Sequence, residues 1–225
     1  MDGRIKQSFP KLVIGLKFSR IGKIYNFDAS HLKELKIGDS VVVQTSRGWQ
    51  LGKVVKIITD IKRLKNKNIK RVNRRATPAD LVKKQELDIK QEKALKKVFQ
   101  KITDFGIKGI KLITAEYNFD EKGITFLYSS ETDEIKDFNK FQKTVQKEFD
   151  DIKTAFHKIG PRDVAKFYGG MGACGLETRC CAKFLSGFKP ISIRMAKTQG
   201  ISLTPSDITG LCNRLRCCLA SDRTT

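Results

Sequence analysis

All six cysteines of this 225-residue chain lie after residue 173, at Cys174, Cys180, Cys181, Cys212, Cys217 and Cys218. They read C-x5-C-C and C-x4-C-C, separated by thirty residues. Two short brackets that each end in a vicinal pair fit a site for a soft metal or an iron–sulfur cluster, because thiolates are the ligands such centres take. The last quarter is therefore expected to be the functional end. It is also glycine-rich, with Gly169, Gly170, Gly172, Gly175, Gly187, Gly200 and Gly210. Backbone that wraps a metal needs that freedom, and an irregular segment of this kind is expected to draw part of its stability from the bound centre.

No apolar run approaches the roughly 20 residues of a membrane helix. The N-terminal residues lack the apolar core of a signal peptide. A cytoplasmic location is expected, where thiols stay reduced and metal or redox chemistry outranks a disulfide framework. The formal net charge of +21 attracts polyanions. The densest basic stretch is Lys62, Arg63, Lys65, Lys67, Lys70, Arg71, Arg74 and Arg75, with no acid among them. It reads as a solvated linker or as a strip of phosphate contacts; without interleaved aromatics it is no stacking platform.

The pattern along the chain predicts an α+β protein. Residues 1–60 read as a small β-rich, barrel-like region, with strands at 11–18, 22–27, 40–44 and 52–58 and Trp49 packed at the sheet edge. Residues 61–76 read as a basic linker. Residues 77–158 read as an α+β layer. Thr77 caps a helix with Pro78 at its first position and Asp80 at the capping-box position. Ala94, Leu95, Val98, Phe99, Ile102 and Phe105 continue its apolar stripe, and Gly106 ends it. A strand pair at 109–117 and 123–128, a helix at 133–149 and a strand at 152–157 complete a sheet with two helices on one face, the aromatics in its core. Residues 159–225 form an irregular Cys-rich region with short helices at 191–198 and after Pro205.

Four thiolates must converge to hold a cluster. Adjacent side chains of an extended chain point to opposite faces, so the simplest four-ligand set is Cys174, Cys180, Cys212 and Cys217. Cys181 and Cys218 then face a second site, a partner or the core. Arg179, Arg214 and Arg216 flank the cysteines and favour thiolates. Three readings stay open: an iron–sulfur cluster, structural zinc, and redox-active thiols. For zinc, the usual C-x2-C spacing is missing and His157 is the nearest histidine. There is no P-loop, dinucleotide fingerprint or His-rich metal motif, so no catalytic residue is assigned. His31 and His157 read as structural, and Asp163 and Glu177 as capping or salt-bridge groups.

Ile159-Gly160-Pro161-Arg162-Asp163-Val164-Ala165-Lys166, Gly169-Gly170-Met171-Gly172-Ala173-Cys174-Gly175 and Gly210-Leu211-Cys212-Asn213-Arg214-Leu215-Arg216-Cys217-Cys218 closely resemble the PSP-type C-terminal family. Gly22 to Asp28, Gly38 to Val43, Ala76 to Leu81 and Ala115 to Asp120 are similar to it as well. The resemblance implies a non-catalytic regulator that joins RicA-like and RicF-like helical partners in a complex carrying [4Fe–4S] clusters. Such a complex supports RNase Y in mRNA maturation and turnover and influences sporulation, competence and biofilm decisions. The metal ligands it implies fall on Cys174, Cys180, Cys181, Cys212, Cys217 and Cys218, some of them shared with a partner's cluster. The family bracket is usually C-x4-C-C; the extra residue here leaves the roles of Cys180 and Cys181 to be decided. The chain stops a few residues after Cys218, and any function of the tail many relatives carry is expected to be absent.

Overall fold

The computed structural model describes residues 12–19, 23–32, 34–46, 48–58, 69–132, 135–149, 151–172, 174–177, 180–185 and 190–220. The chain divides into two compact units, Met1–Leu87 with Asn118–Lys122, and Asp88–Tyr117 with Gly123–Thr225.

The first unit is a curled sheet of five strands: β1 (Val13–Lys17), β2 (Tyr25–Asp28), β3 (Ser40–Thr45), β4 (Gly48–Ile58) and β5 (Arg74–Arg75). Their order is β2-β1-β4-β3-β5, and every pairing is antiparallel. β1 and β4 slip by one residue between Gly15 and Leu16, which sharpens the local bend. Ile14, Leu16, Phe27, Val41, Val43 and Val54 fill the concave side. β-branched alternation is what such a half-buried sheet selects. Trp49 is half-buried on the inner strand β4, opposite Gln44 of the hairpin partner β3, rather than on an edge strand.

Of the stretch 61–76 expected to be a linker, residues 70–76 are instead built into this sheet, and 61–68 lie outside the described residues. The Asp28 N–H donates to Lys70 O and the Val72 N–H to Asp28 O, both at 2.9 Å. Three residues further on, β5 pairs with Val41 and Val42 of β3. Val72 between them is buried in the core. Backbone donors and acceptors at sheet edges gain by being paired, and this one segment serves both edge strands.

Helix α1 (Pro78–Asp104) begins as its sequence prescribes. The Thr77 N–H donates to Asp80 Oδ2 at 2.7 Å, and the Asp80 N–H donates back to Thr77 Oγ1 at 3.3 Å. Arg74 adds a bidentate clamp on the same carboxylate, with Nη2 to Oδ1 at 2.9 Å. The Arg74 hydrogen bonds, opposed by burial and helped by Thr77, hold the Asp80 carboxyl far below the usual carboxylate range. Such a group stabilises the fold fully above about pH 4, its ordinary unfolded value. That stabilisation is lost as pH falls toward the depressed folded value. Asp80→Ala is expected to cost about 1–2 kcal/mol at neutral pH, the range for a lost helix cap. Denaturant titrations of the two proteins at falling pH should show the gap closing below about pH 4.

The second unit carries a sheet of β6 (Ile110–Tyr117), β7 (Gly123–Ser130) and β8 (Lys153–Lys158), with β6 antiparallel and β8 parallel to the central β7. A parallel neighbour requires a crossover, and α2 (Phe138–Glu148) supplies it. Asp137 has a left-handed φ of 57°, so α2 begins at Phe138 and not at 133 as the apolar pattern suggested. Ala94, Val98 and Ile102 of α1 and Phe141 and Val145 of α2 pack with Ala115, Ile124 and Phe126 of the sheet, which places both helices on one face. Two aromatics expected in the core are largely outside it: Phe99 is 62% and Phe105 42% exposed. They extend the stripe beyond the width the sheet can cover.

Candidate metal centre

Beyond the second sheet the chain forms α3 (Pro161–Tyr168), α4 (Ile193–Thr198) and α5 (Pro205–Ile208). α3 was not foreseen, although Pro161 opens it and Asp163 lies in its first turn, a usual helix start. Ala196, Ile208 and Leu219 are the buried residues of a small core, flanked by Ile191, Met195, Ile201 and Leu215.

Each cysteine bracket starts with the same local construction. At the first, the Gly175 N–H donates to Gly172 O (2.9 Å), the Gly172 N–H donates to Leu176 O (2.6 Å), and Met171 bridges Glu177. At the second, the Asn213 N–H donates to Gly210 O (2.9 Å), the Gly210 N–H donates to Arg214 O (2.8 Å), and Thr209 bridges Leu215. Gly175 (φ 73°) and Asn213 (φ 55°) both occupy the left-handed region, which glycine and asparagine tolerate best. Cys174 and Cys212 hold equivalent places one residue before it. A Cβ at Gly172 would lie 3.3 Å from Cys174 Sγ, and one at Gly210 would lie 3.8 Å from Cys212 Sγ. The chain therefore carries a duplicated cysteine turn. Its signal in the sequence is Gly-x-Cys followed by Gly or Asn, at 172–175 and again at 210–213.

The vicinal pairs are not extended. Cys180–Phe184 is a single π-helical turn, closed by the Leu185 N–H donating to Cys180 O at 2.7 Å. Cys217–Ala220 is a 3₁₀ turn. Neighbouring side chains on a helical turn are separated by roughly 120° or less rather than 180°. The geometric reason for excluding Cys181 and Cys218 from the ligand set therefore falls away. Extended chain was the expectation there because neither segment is long enough to show a helical period.

The two brackets meet. Burial pushes the Cys180 thiol up, and the nearby thiols of Cys218, Cys174 and Cys181 push it further. Burial also pushes Cys217 up; Arg162 opposes the rise and Cys181, Cys212 and Cys180 add to it. All six cysteines thus share one electrostatic neighbourhood, and none is in a disulfide. Among the described residues no three His, Cys, Asp or Glu side chains converge closely enough to hold one metal ion as they stand. Soft donors gathered by the fold, with Cys180 and Cys217 held back from ionising by burial and by neighbouring thiols, are the chemistry that a polynuclear cationic centre would neutralise. Final convergence would then be coupled to binding.

The flanking groups hold the brackets in place. Arg216 donates from Nη2 to Ser206 O (2.8 Å) and from its N–H to Ile208 O (2.9 Å). Arg162 of α3 donates to Leu215 O. Asp163 pairs with Lys166 at 2.9 Å, the salt-bridge role expected of it. Arg179 lies outside the described residues.

The basic strip fares differently. Lys62, Arg63, Lys65 and Lys67 lie outside the described residues, and Lys70 is exposed. Arg71 donates to His31 Nδ1 (3.2 Å), Arg74 clamps Asp80, and Arg75 donates to Asp39 Oδ2 (3.0 Å) and to Glu34 O. Three of the eight residues expected to contact phosphate therefore make contacts within the fold.

A two-unit α+β chain ending in paired cysteine turns defines a protein with a cysteine-rich centre appended to a mixed layer. Residues 70–157 match the PSP1 C-terminal conserved region, and residues 190–224 match the third domain of PSP1-like proteins. The chain is 35% identical over 208 residues to the Stage 0 sporulation protein YaaT of Bacillus subtilis (strain 168), an alignment covering 88% of this chain and 70% of that protein. This chain belongs to the PSP1 family. No solved structure matches it. Among the described residues no helix is long and apolar enough to cross a membrane.

Proposed function

We propose that the chain is a cytoplasmic, non-catalytic regulatory subunit that binds a [4Fe–4S] cluster through its C-terminal cysteines. In that role it acts as an adaptor for RNase Y-dependent mRNA processing, alongside RicA-like and RicF-like helical partners. The observation that carries the reading is the gathering of six thiols from two brackets into one neighbourhood. Similarity to a protein named for stage 0 of sporulation supports a regulatory role. Cys174, Cys180, Cys181, Cys212, Cys217 and Cys218 would hold the cluster. When bound, it would supply a centre sensitive to oxidants or to iron supply. The residues themselves bind it, Leu219 anchors the second bracket in the small core, and Arg162 offsets charge at Cys217.

The test is purification without oxygen, with an absorbance spectrum and iron, sulfide and zinc assays. A brown protein with matched iron and sulfide is expected. A colourless protein with about one zinc per chain would overturn the cluster reading in favour of a structural zinc site.

A further inference from the structure

The solvent side of the second unit's two helices carries rows of lysines that neither the cysteine centre nor the expected basic strip uses. On α2, Lys140, Lys143 and Lys147 are all exposed. At 3.6 residues per turn they fall on one ridge about 10 Å long. That ridge lies on the side away from the buried Phe141 and Val145. On α1, Lys93, Lys97 and Lys101 repeat four residues apart, with Lys93 and Lys97 exposed. Phe105 meets Phe141 at 5.9 Å between ring centroids, and Lys101 Nζ lies 3.4 Å from Glu148 Oε2. The two helices therefore run antiparallel. Lys97 and Lys93 carry the basic row onward past the end of α2.

Nothing in the packing of the core asks for these charges. Like charges three or four residues apart on a helix repel, and each successive pair in both rows is spaced that way. The first turn of α2 holds no acid and does hold Lys140, although the helix dipole favours an anion there. The carboxylates at the junction are engaged. Glu148 is held by Lys101, and Asp137 by Lys140 at 2.8 Å. Asp104 lies one turn past Lys101 and leaves the run from Lys97 to Lys93 untouched. Lys93, Lys97, Lys143 and Lys147 take part in no ion pair among the described residues.

We propose that Lys140, Lys143 and Lys147 of α2, continued by Lys97 and Lys93 of α1, form a track for the phosphate backbone of one nucleic-acid strand, bound without base selectivity. Lysine meets phosphate as a point charge, and such contacts carry no sequence information. Ammonium groups in single file serve one strand; a duplex would bring a second strand to which the track offers no second row. An anionic membrane surface is the poorer fit. Helices that lie on membranes turn an apolar face to the lipid, and that face of α2 is packed against the sheet. The track is separate from the cysteine centre and does not depend on it. An adaptor for a ribonuclease would gain a substrate contact from it.

The test measures anisotropy of a labelled 20-nucleotide oligouridylate with the full-length protein across a salt series. The K97Q/K143Q/K147Q variant is compared with K23Q/K36Q/K122Q, which removes the same charge from exposed positions of the first unit. The first variant is expected to bind at least about tenfold more weakly, with its log–log salt slope reduced by about 2, near 0.7 per lost single-strand contact. The control should move far less, and K97R/K143R/K147R should retain binding. Equal losses in the two glutamine variants would show that net charge alone attracts RNA and would overturn the site. So would no loss in the first variant, or no binding by the unaltered protein at low salt. Tighter binding of an RNA duplex of the same length, lost in the same variant, would overturn the single-strand assignment. Binding to phosphatidylglycerol vesicles that the variant loses while it keeps oligouridylate would overturn the proposal in favour of a lipid surface. Thermal melts followed by circular dichroism establish that each variant is folded. The melting midpoint of K97Q/K143Q/K147Q should not fall, because the substitutions remove like-charge neighbours; if it does, K143Q/K147Q is scored against the same criteria. Iron content of the variants should be unchanged, so a failure here leaves the cluster reading standing, and the reverse.

Discussion

Serine at both Cys180 and Cys217 is expected to abolish iron uptake and the visible chromophore under anaerobic purification. These are the two thiols that burial raises, one from each bracket, and each is flanked by three other cysteines. Removing them takes the centre of the donor set rather than its rim. Because Leu219 follows Cys217–Cys218 directly and is 2% exposed in the small core, loss of the centre should also loosen 190–220 toward protease. The two sheets have cores of their own and should persist. The comparison of interest is Cys174→Ser against Cys212→Ser. Their turns are built alike, so the two variants should lose iron to similar extents. A protein that keeps full iron and sulfide with both of these half-buried thiols gone would falsify the centre as described. Partner binding that continues unchanged after the iron is lost would leave the centre intact and remove its proposed role in assembly.

The second large effect concerns stability. Phe141→Ala is expected to cost about 3–5 kcal/mol, the range for truncating a buried phenylalanine. Phe141 is fully buried, and its ring lies 5.5 Å from Phe156, 5.9 Å from Phe105 and 6.0 Å from Phe138 between centroids. It is where α2, β8 and the end of α1 share one hydrophobic contact. Urea titration followed by circular dichroism would read the change. A loss under about 1 kcal/mol, the middle of the range for ordinary substitutions, would mean the pocket collapses around the alanine or that α2 is not held where the packing puts it.

Much of this was legible in the residues. Thr77-Pro78 with Asp80 announced the start of α1 because each occupies a position whose backbone chemistry favours it. The first four strands and the two-helices-on-a-sheet layer followed from periodicity, which long elements express clearly. What was missed shares a physical cause. β5 is two residues long and α3 only eight, too short for a period to show. The vicinal cysteines lie on single helical turns that no propensity marks. The partners of Arg71, Arg74 and Arg75 were not legible either, since sequence shows their charge but not the His31, Asp80 and Asp39 groups that tertiary structure brings to them. The cysteine spacing pointed to the region where the six thiols gather, while the assumption of extended chain does not hold at Cys180–Cys181 or Cys217–Cys218.

The segment that joins both edges of the first sheet has a consequence for how the protein is made. Arg71 reaches His31 across 40 positions of chain, and Arg75 reaches Glu34 across 41. A hairpin such as β3–β4 can form as soon as it leaves the ribosome, but this sheet stays open until residues 70–76 arrive. Contacts so distant in sequence carry a loop-closure cost before they return any stability, which places such topologies among the slower two-state folders. During synthesis the nascent N-terminal unit should therefore pass through a stage with two bare strand edges, and that interval is when chaperone engagement would matter most.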